Sequence, residues 1–395
     1  MDLQNNGLEN TTPDTAAPTY EETIIAPEKG SETPNAKRLP LWCKILYGFG
    51  ALSLLLYILF VIFPPFADFF NKYISPWVRA PLAGLTGWIP FSVAELLLLL
   101  CPVIMIVIIS VGVKHYCDSW RNVLTFCLIV LSIGSYVFST FTMGFVPAYR
   151  GSRLDVKMGL DKKEVSAEEL YDTALVLVGK LEKEIHDLTL TGNGSSIMPY
   201  SYEELNDKLM DAYDKACEKY DFIQDMDSNY KRIMLSEPMT YTHISGVYTF
   251  FTGEANVNVN YPDYTLPFTA AHEFAHQRGI AREDEANFVA FLVCSESDDW
   301  YLRYSAYLNL YEYVANALYS ADPQSYAEIY YSVPTSARLE MVAYSKFFDK
   351  YRDSVASDVS ETVNNTFLTV NGTEGTKSYG MVVDLAVAYY KQNTN

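Results

Sequence analysis

Three long stretches without a charged side chain constrain the fold of this chain more than any other feature. The first lies within residues 45–67, the second is 96–113 and the third is 122–149. Each is about as long as the roughly 20 residues that a helix needs to cross the hydrocarbon core of a bilayer. Short charged connectors separate them, which disfavours the alternative of buried helices in a soluble core. The sequence therefore predicts three transmembrane helices.

These stretches divide the chain into three predicted parts. Residues 1–40 are rich in Thr, Pro, Asn and Glu and are expected to form a disordered tail. Residues 41–149 form the transmembrane anchor, and residues 150–395 form a folded domain. Most of the 48 acidic side chains lie in this last part. Such a domain repels phosphate backbones, which excludes nucleic-acid binding, and the lipid bilayer is the expected partner of the anchor.

The distribution of basic residues indicates the orientation of the spans. Basic side chains precede the first span at 37–44 and bracket the turn between the second and third spans at 114–121. Since basic loops stay in the cytoplasm, this pattern predicts a multi-pass protein of the cytoplasmic membrane with its C-terminal domain outside. Three further basic residues at 150–157, just after the third span, favour the opposite orientation.

The C-terminal domain shows mainly helical periodicity interrupted by two short strands. Apolar residues recur at helical spacing in 166–189, 201–220, 300–319 and 336–351. Alternation in 247–251 and 255–260, on either side of Gly253, indicates a β-hairpin. We therefore expect a mainly α membrane protein in which three transmembrane helices precede an α+β domain. The second strand either pairs along a free edge with an extended peptide or belongs to an ordinary hairpin.

The most informative motif is His272-Glu273-Phe-Ala-His276, an H-E-x-x-H sequence between Pro267 and Gly279. Proline suits a first helical turn and glycine the position after a helix end, so the motif is expected on one helix. There the two imidazoles project from one face and can bind one Zn²⁺ ion. Glu273 lies about 100° around the helix, where it can be the general base toward a zinc-activated water. The alternative is two polar histidines on a surface helix.

A catalytic zinc site needs a third protein ligand. Arg282 stands six residues after His276, which excludes the class that has a third histidine there. Glu283 is the predicted ligand, and Glu285 is the alternative. Both glutamates can also be favourable charges in the first turn of the next helix. Asn287, one turn after Glu283, is expected to orient a ligand.

Three further side chains are candidates for stabilising the oxyanion of a peptide-bond hydrolysis. Tyr261 and Tyr264 precede the motif, and His243 precedes the hairpin. The predicted function is a zinc-dependent metallopeptidase that acts on a peptide or protein substrate. The alternative is a non-catalytic binding or sensing module that keeps the metal site. An intact Glu273 favours the enzyme, because a binding module needs no general base.

Five segments of the chain resemble a bacterial family of membrane-anchored proteins of unknown function, domain family 3810. They are IPFSVAEL at 89–96, AYRGSRLDVKMGL at 148–160, the long block from TGEANVNVN to EDEANF at 252–288, RYSAY at 303–307 and VNNTFLTVNGTEGTKSYG at 363–380. The resemblance implies a zincin-like metallopeptidase domain of the glutamate-liganded (gluzincin) kind. It also implies that His272, His276 and a glutamate hold the metal. One departure is Ala148, where the family tends to have Asn.

Overall fold

The computed structural model describes residues 36–394, and the fold is mostly helical with one small mixed sheet. The predicted tail lies outside the described residues except for residues 36–40. The first seven helices are α1 (Leu41–Ile62), α2 (Pro64–Tyr73), α3 (Pro76–Gly87), α4 (Val93–Tyr116), α5 (Trp120–Gly144), α6 (Val146–Arg150) and α7 (Leu154–Met158). The others are α8 (Ala167–Glu184), α9 (Tyr202–Lys219), α10 (Ser236–Thr240), α11 (Thr265–Gln277), α12 (Glu283–Ser295), α13 (Trp300–Ala321), α14 (Pro323–Ser332), α15 (Thr335–Phe348), α16 (Val355–Val370) and α17 (Val382–Thr394). The strands are β1 (Lys231–Arg232), β2 (Gly246–Thr249) and β3 (Glu254–Val257), and a 3₁₀ helix (Gly375–Met381) precedes α17.

Three helices, α1, α4 and α5, are long and apolar enough to cross a membrane. They correspond to the three predicted spans, and at most 17% of the most apolar window of each is buried inside the protein. Such exposure argues against buried helices of a soluble core. The predicted third span reaches position 149, whereas α5 ends at Gly144. There Phe145 leaves the helical conformation, and Pro147 lies in the first turn of a separate helix, α6.

The connector between the first two spans, α2 and α3, folds back onto the C-terminal domain. Its Arg79 is only 2% exposed. The guanidinium donates to the carbonyl of Gly144 at 2.9 Å, to the side chain of Asn71 at 2.7 Å and to the side chain of Gln224 at 3.0 Å. One buried cation therefore joins the connector, the third span and the domain.

The predicted hairpin is confirmed, since β2 and β3 pair antiparallel with Tyr248 opposite Ala255. β1, which no alternating pattern marks in the sequence, pairs with the other side of β3 in parallel. β3 is therefore the central strand. The interpretation that this strand offers a free edge to a peptide is wrong, because both of its edges are occupied. β2 is an edge strand, and β2 and β3 both pack on α11.

The sheet is also joined to the second span. Glu254, the first residue of β3, is buried and accepts hydrogen bonds from the backbone N–H groups of Val93 and Ala94 at 2.8 and 2.9 Å. These N–H groups lie in the first turn of α4, where they lack partners within the helix and where a carboxylate also suits the helix dipole. Glu95 in turn accepts from the backbone N–H groups of 234–235 at 2.8 Å. The spans and the domain therefore share buried hydrogen bonds.

The core of the domain forms around α11, α12 and α13, which contact one another. Every residue of α11 is buried. The H-E-x-x-H motif therefore lies in the interior of the domain, which rules out the alternative of two histidines on a surface helix. α8 and α9 flank this centre, and each begins with a capping box, which fixes where the helix starts.

Replacing Arg79 with Met should destabilise the protein by about 2–4 kcal/mol, because it leaves buried acceptor groups without a donor. The melting temperature of the detergent-solubilised full-length protein measures the loss. Lys72→Met, on the same connector, is the control. It removes an exposed ion pair with Asp221 and should cost about 1 kcal/mol or less. Equal shifts in the two variants would mean that the buried network does not join the connector to the domain.

Candidate metal site

The local sequence of α11 sets both ends of the helix that carries the motif. Pro267 lies in its first turn, and Gly279 lies two residues after its last residue. Gly279 has a φ of 86°, in the left-handed region that glycine adopts without strain. The backbone N–H of Ile280 then donates to the carbonyl of Ala275 at 3.0 Å, which closes the helix end. Both positions agree with the helix that the sequence predicts.

The two histidines of the motif meet one glutamate of the next helix. Nε2 of His272 lies 3.1 Å from Oε2 of Glu283, and Nε2 of His276 lies 3.4 Å from the same oxygen. All three residues are buried, and their ligand atoms lie within 4.8 Å of one another. Among residues 36–394, this is the one group of three or more His, Cys, Asp or Glu side chains close enough to hold an ion. We call these three residues the metal cluster.

The protein fixes the orientation of the His276 ring. Its Nδ1–H donates to the carbonyl of Ile280 at 2.7 Å, which leaves Nε2 facing Glu283. A hydrogen bond of this kind sets the tautomer that metal-binding histidines use. On His272, by contrast, Nδ1 is buried without a hydrogen-bond partner in the described part of the chain.

The charges of the metal cluster are strongly coupled. Burial disfavours the charged form of Glu283, but the two imidazoles more than offset it, so the pKa of this carboxyl is lowered well below its usual range. Burial also opposes the charged form of His276, yet Glu283 raises the pKa of that imidazole to about 9. Burial and the neighbouring His276 lower the pKa of His272. The two imidazoles and the carboxylate therefore interact strongly with one another, and donors of this kind can hold a divalent cation.

The alternative ligand, Glu285, lies elsewhere. Its carboxylate accepts a hydrogen bond from the N–H of Leu154 at 2.9 Å and lies 3.7 Å from Nε of Arg282. Asp284 pairs instead with the arginine that precedes α7, at 2.8 Å. Consecutive residues of a helix are about 100° apart, so these three acidic side chains point in three directions. Among them, Glu283 is the one that faces the histidines.

The glutamate inside the motif, Glu273, lies under the edge strand β2. Its carboxyl is buried, its Oε2 has no hydrogen-bond partner in the described residues, and burial raises its pKa to about 8. A Cβ at Gly246 would lie 2.5 Å from Oε1 of Glu273, so a larger residue would displace the carboxyl or the strand. The strand therefore holds a desolvated carboxyl with a free oxygen beside the metal cluster.

Three other predicted site residues make their contacts elsewhere. The Tyr264 hydroxyl donates to the carboxylate of Glu312 at 3.2 Å, and Tyr261 packs against an aromatic ring of α15. His243 donates from Nε2–H to a backbone carbonyl just after α15, at 2.9 Å. These contacts give no support to the predicted role of the three residues in stabilising an oxyanion.

Three tyrosines that are not among the predicted site residues lie close to the metal cluster. Tyr149 follows the third span, Tyr313 lies in α13 and Tyr379 in the 3₁₀ helix. Burial raises the pKa of all three hydroxyls, and the charge of Glu283 raises it further. Asn287, the predicted orienting residue, donates to the Tyr313 hydroxyl at 3.3 Å and to the Tyr379 carbonyl at 3.5 Å. Because these tyrosines come from three separate elements, no spacing in the sequence brings them together.

One known family matches most of this chain. Its model, described as "Protein of unknown function (DUF3810)", matches residues 70–387, well over half of the sequence. The chain belongs to the DUF3810 family. The DUF3810 match begins within α2 and ends within α17, so it includes the connector, the second and third spans and the metal cluster. No curated protein and no solved structure matches the chain.

DUF3810 membership confirms the family that the five sequence segments resemble. His272, His276 and Glu283 all lie inside the matched range, so the metal cluster is part of the family's domain. The description of DUF3810 states no activity, and the function is therefore inferred from the chemistry of the site itself.

Proposed function

We propose that this protein is a membrane-anchored zinc-dependent peptidase of the gluzincin kind, in which His272, His276 and Glu283 hold zinc. The observation that supports this most is the approach of two imidazole nitrogens to one carboxylate oxygen, at 3.1 and 3.4 Å, beside a second buried carboxyl. Ligand atoms about 2.0–2.2 Å from a tetrahedral ion lie about 3.3–3.6 Å from one another. Both distances from the Glu283 oxygen are therefore close to those between two ligands of such an ion.

One buried atom without a partner supports a bound ligand at this place. Oε2 of Glu273 makes no hydrogen bond in the described part of the chain. Since buried polar atoms in folded proteins are nearly always satisfied, this oxygen is free to accept a hydrogen bond from a water held at the metal cluster. Two imidazoles and a carboxylate are a donor set that zinc accepts in hydrolytic enzymes, with one position left for water.

The residues around the metal cluster have separate roles in this proposal. The chemistry that bound zinc supplies is Lewis acidity, which makes water a usable nucleophile near neutral pH. Glu273 accepts the proton of this water on its free Oε2 oxygen. Once protonated, the same carboxyl can then give that proton to the leaving amine. The carbonyl of Ile280 keeps His276 in the tautomer that binds through Nε2.

The edge strand β2 supports a peptide as the substrate. β2 passes over Glu273 at Gly246 and is paired with β3 on one side. An extended peptide can add to such an edge through backbone hydrogen bonds, whatever its side chains. This pairing would lay the scissile bond across Glu273. A non-catalytic binding or sensing module fits the three ligands but gives no role to Glu273.

We further propose that the spans lie in the cytoplasmic membrane with the C-terminal domain outside. The basic groups at 37–44 and 114–121 support this orientation. The backbone N–H of Lys37 donates to the side chain of Asn122 at 2.7 Å, so both groups lie at the same end of the spans. Protease added to intact cells should therefore cleave the C-terminal domain and leave the N-terminal tail intact. Cleavage of the domain only after lysis would contradict this orientation.

Glu283→Ala should lose most of its zinc, whereas Glu285→Ala should retain it. The physical reason is that the Glu283 carboxylate lies against both histidines. The Glu285 carboxylate instead accepts a hydrogen bond from the Leu154 N–H and lies near Arg282. The measurement is zinc per chain in the purified full-length variants, with the melting temperature as the control for folding. Zinc kept by the first variant and lost by the second would reverse the assignment of the third ligand.

Glu273→Gln should keep its zinc and lose hydrolysis by about 10²–10⁴-fold, because an amide cannot accept the proton of water. Cleavage of a mixed-sequence peptide library, followed by mass spectrometry at equal zinc content, measures the loss. Glu361→Gln, which changes an exposed carboxylate on α16, is the matched control and should cleave like the unaltered protein. If Glu273→Gln is as active as this control, the general-base role fails and the binding-module function is favoured.

A further inference from the structure

We propose that the metal cluster operates at the surface of the bilayer and that its substrates are membrane-anchored polypeptides, cut within about ten residues of their anchored segment. The substrate class rests on the peptidase function proposed above, whereas the position at the bilayer does not. Two observations carry the inference. One is the contact between the metal cluster and the end of the third span. The other is an exposed apolar stripe on α16 that continues the surface of that span.

One end of each span lies on the side of the metal cluster. These are the C-terminal ends of α1 and α5 and the N-terminal end of α4. The starts of α1 and α5 lie together, because the Tyr47 hydroxyl donates to the carbonyl of Leu128 at 2.6 Å. α4 ends next to the start of α5, so it runs the opposite way. α5 has 25 residues, which at about 1.5 Å per residue is longer than the roughly 30 Å hydrocarbon core. The helix is therefore long enough for its last turns to reach the level of the lipid headgroups.

One ligand of the metal cluster touches the first residue after this span. The ring centroids of His276 and Phe145 are 5.9 Å apart, edge to face. Phe145 also packs on Tyr248 of β2 with centroids 5.3 Å apart, and Phe141, one turn earlier in α5, packs on Phe250 at 4.9 Å. His276 and the strand over Glu273 thus both contact Phe145, the residue that follows the span.

Helix α16 carries an exposed apolar stripe beside the same span. Val355, Val359 and Val363, spaced four residues apart, are 79%, 59% and 63% exposed. Phe367 continues the stripe by one more turn, and its ring packs on Phe141 of α5 with centroids 5.9 Å apart. Such a stripe is unfavourable in water and typical of a helix that lies in a membrane interface. Its continuity with a lipid-facing span identifies the bilayer as its partner.

The connector adds a second apolar surface on the same side. Tyr73 at the end of α2, Trp77 in α3 and Trp88 just after α3 are all more than half exposed. Trp and Tyr prefer the boundary between lipid and water. The connector also contacts the end of the motif-bearing helix, because the side chain of Asn71 donates to the carbonyl of Gly279 at 3.0 Å. The metal cluster is therefore attached to interfacial elements on two sides.

A peptidase site at the level of the headgroups reaches peptide bonds near the membrane more readily than bonds that lie farther from it. The headgroup layer is about 5–8 Å deep on each side of the bilayer, and an extended chain advances about 3.3–3.6 Å per residue. A polypeptide that leaves the bilayer and pairs with β2 would therefore present a bond within about ten residues of its anchor. Anchoring also raises the effective concentration of such a substrate at the site.

Photo-crosslinking of the full-length protein in phosphatidylcholine vesicles tests the position at the bilayer. A photoreactive amino acid takes the place of Val359 or Val363 on the stripe. The controls are the same amino acid at Glu361, on the opposite side of α16, and at Leu175, an exposed apolar position on α8. We expect lipid adducts several-fold above both controls at the stripe positions. Adducts at the level of the controls would overturn the inference.

A peptide library in three forms tests the substrate class. One form is free, one is joined directly to a dipalmitoyl anchor, and one is joined through an extended proline-rich spacer of about 20 residues. The two anchored forms are equally concentrated at the vesicle, so their difference isolates the height of the site. We expect the directly anchored form to be cut several-fold faster than the spaced form. Equal rates would overturn the substrate class and leave the peptidase proposal standing.

A double variant links the two tests. Val359→Asp with Val363→Asp should slow cleavage of the directly anchored form several-fold and leave cleavage of the free form unchanged. Leu175→Asp with Val176→Asp, an exposed apolar pair on α8, is the matched control and should change neither rate. If the protein binds no zinc and cuts no form, the peptidase proposal and the substrate class both fail. In that case the photo-crosslinking experiment still tests whether the domain lies at the surface of the bilayer.

Discussion

The position of the metal cluster depends on the buried guanidinium of Arg79. A charge with so little exposure is tolerated only where acceptors surround it. Arg79 has three such partners, in the carbonyl of Gly144, the side chain of Asn71 and the side chain of Gln224. Burial lowers its pKa to about 10, which still leaves the group charged near neutral pH. Because each acceptor belongs to a different part of the chain, the charge is satisfied only when span, connector and domain are assembled.

Gly279 connects the position of Arg79 with the geometry of the metal cluster. A Cβ at Gly279 would lie 2.5 Å from Nη1 of Arg79, so the guanidinium fills the space that a side chain would need. The positive φ of Gly279 also turns the chain so that the carbonyl of Ile280 receives the Nδ1–H of His276. Gly279 therefore makes room for the Arg79 guanidinium, and its conformation lets the next residue fix the His276 ring. Contact of the connector with the domain and orientation of His276 are thus coupled through Gly279 and Ile280.

Local signals in the sequence predict much of this arrangement, and the parts they miss depend on contacts between distant segments. Hydropathy marks the spans, Gly253 marks the hairpin, and a spacing of four puts His272 and His276 on one helix face. To choose between Glu283 and Glu285 as the third ligand, the first residue of α12 must be known to within one position. Each further residue of a helix turns the side chain by about 100°. The tyrosines near the cluster and the buried Arg79 have no local signature. The valines of α16 have a readable spacing, but spacing alone does not separate a stripe that faces lipid from one that faces the core.

The negative charge of this chain bears on how its domain could lie against a bilayer. Anionic lipids attract basic segments by about 1 kcal/mol for each Lys or Arg near the surface, but this chain has a formal net charge of -19. Apolar contact does not depend on that charge, and burying a valine contributes about 1.5–3 kcal/mol. The exposed valines of α16 therefore offer a few kcal/mol that electrostatics does not supply. If three spans already hold the protein in the membrane, this energy acts on the tilt of the domain, and hence on the height of His276 above the lipid.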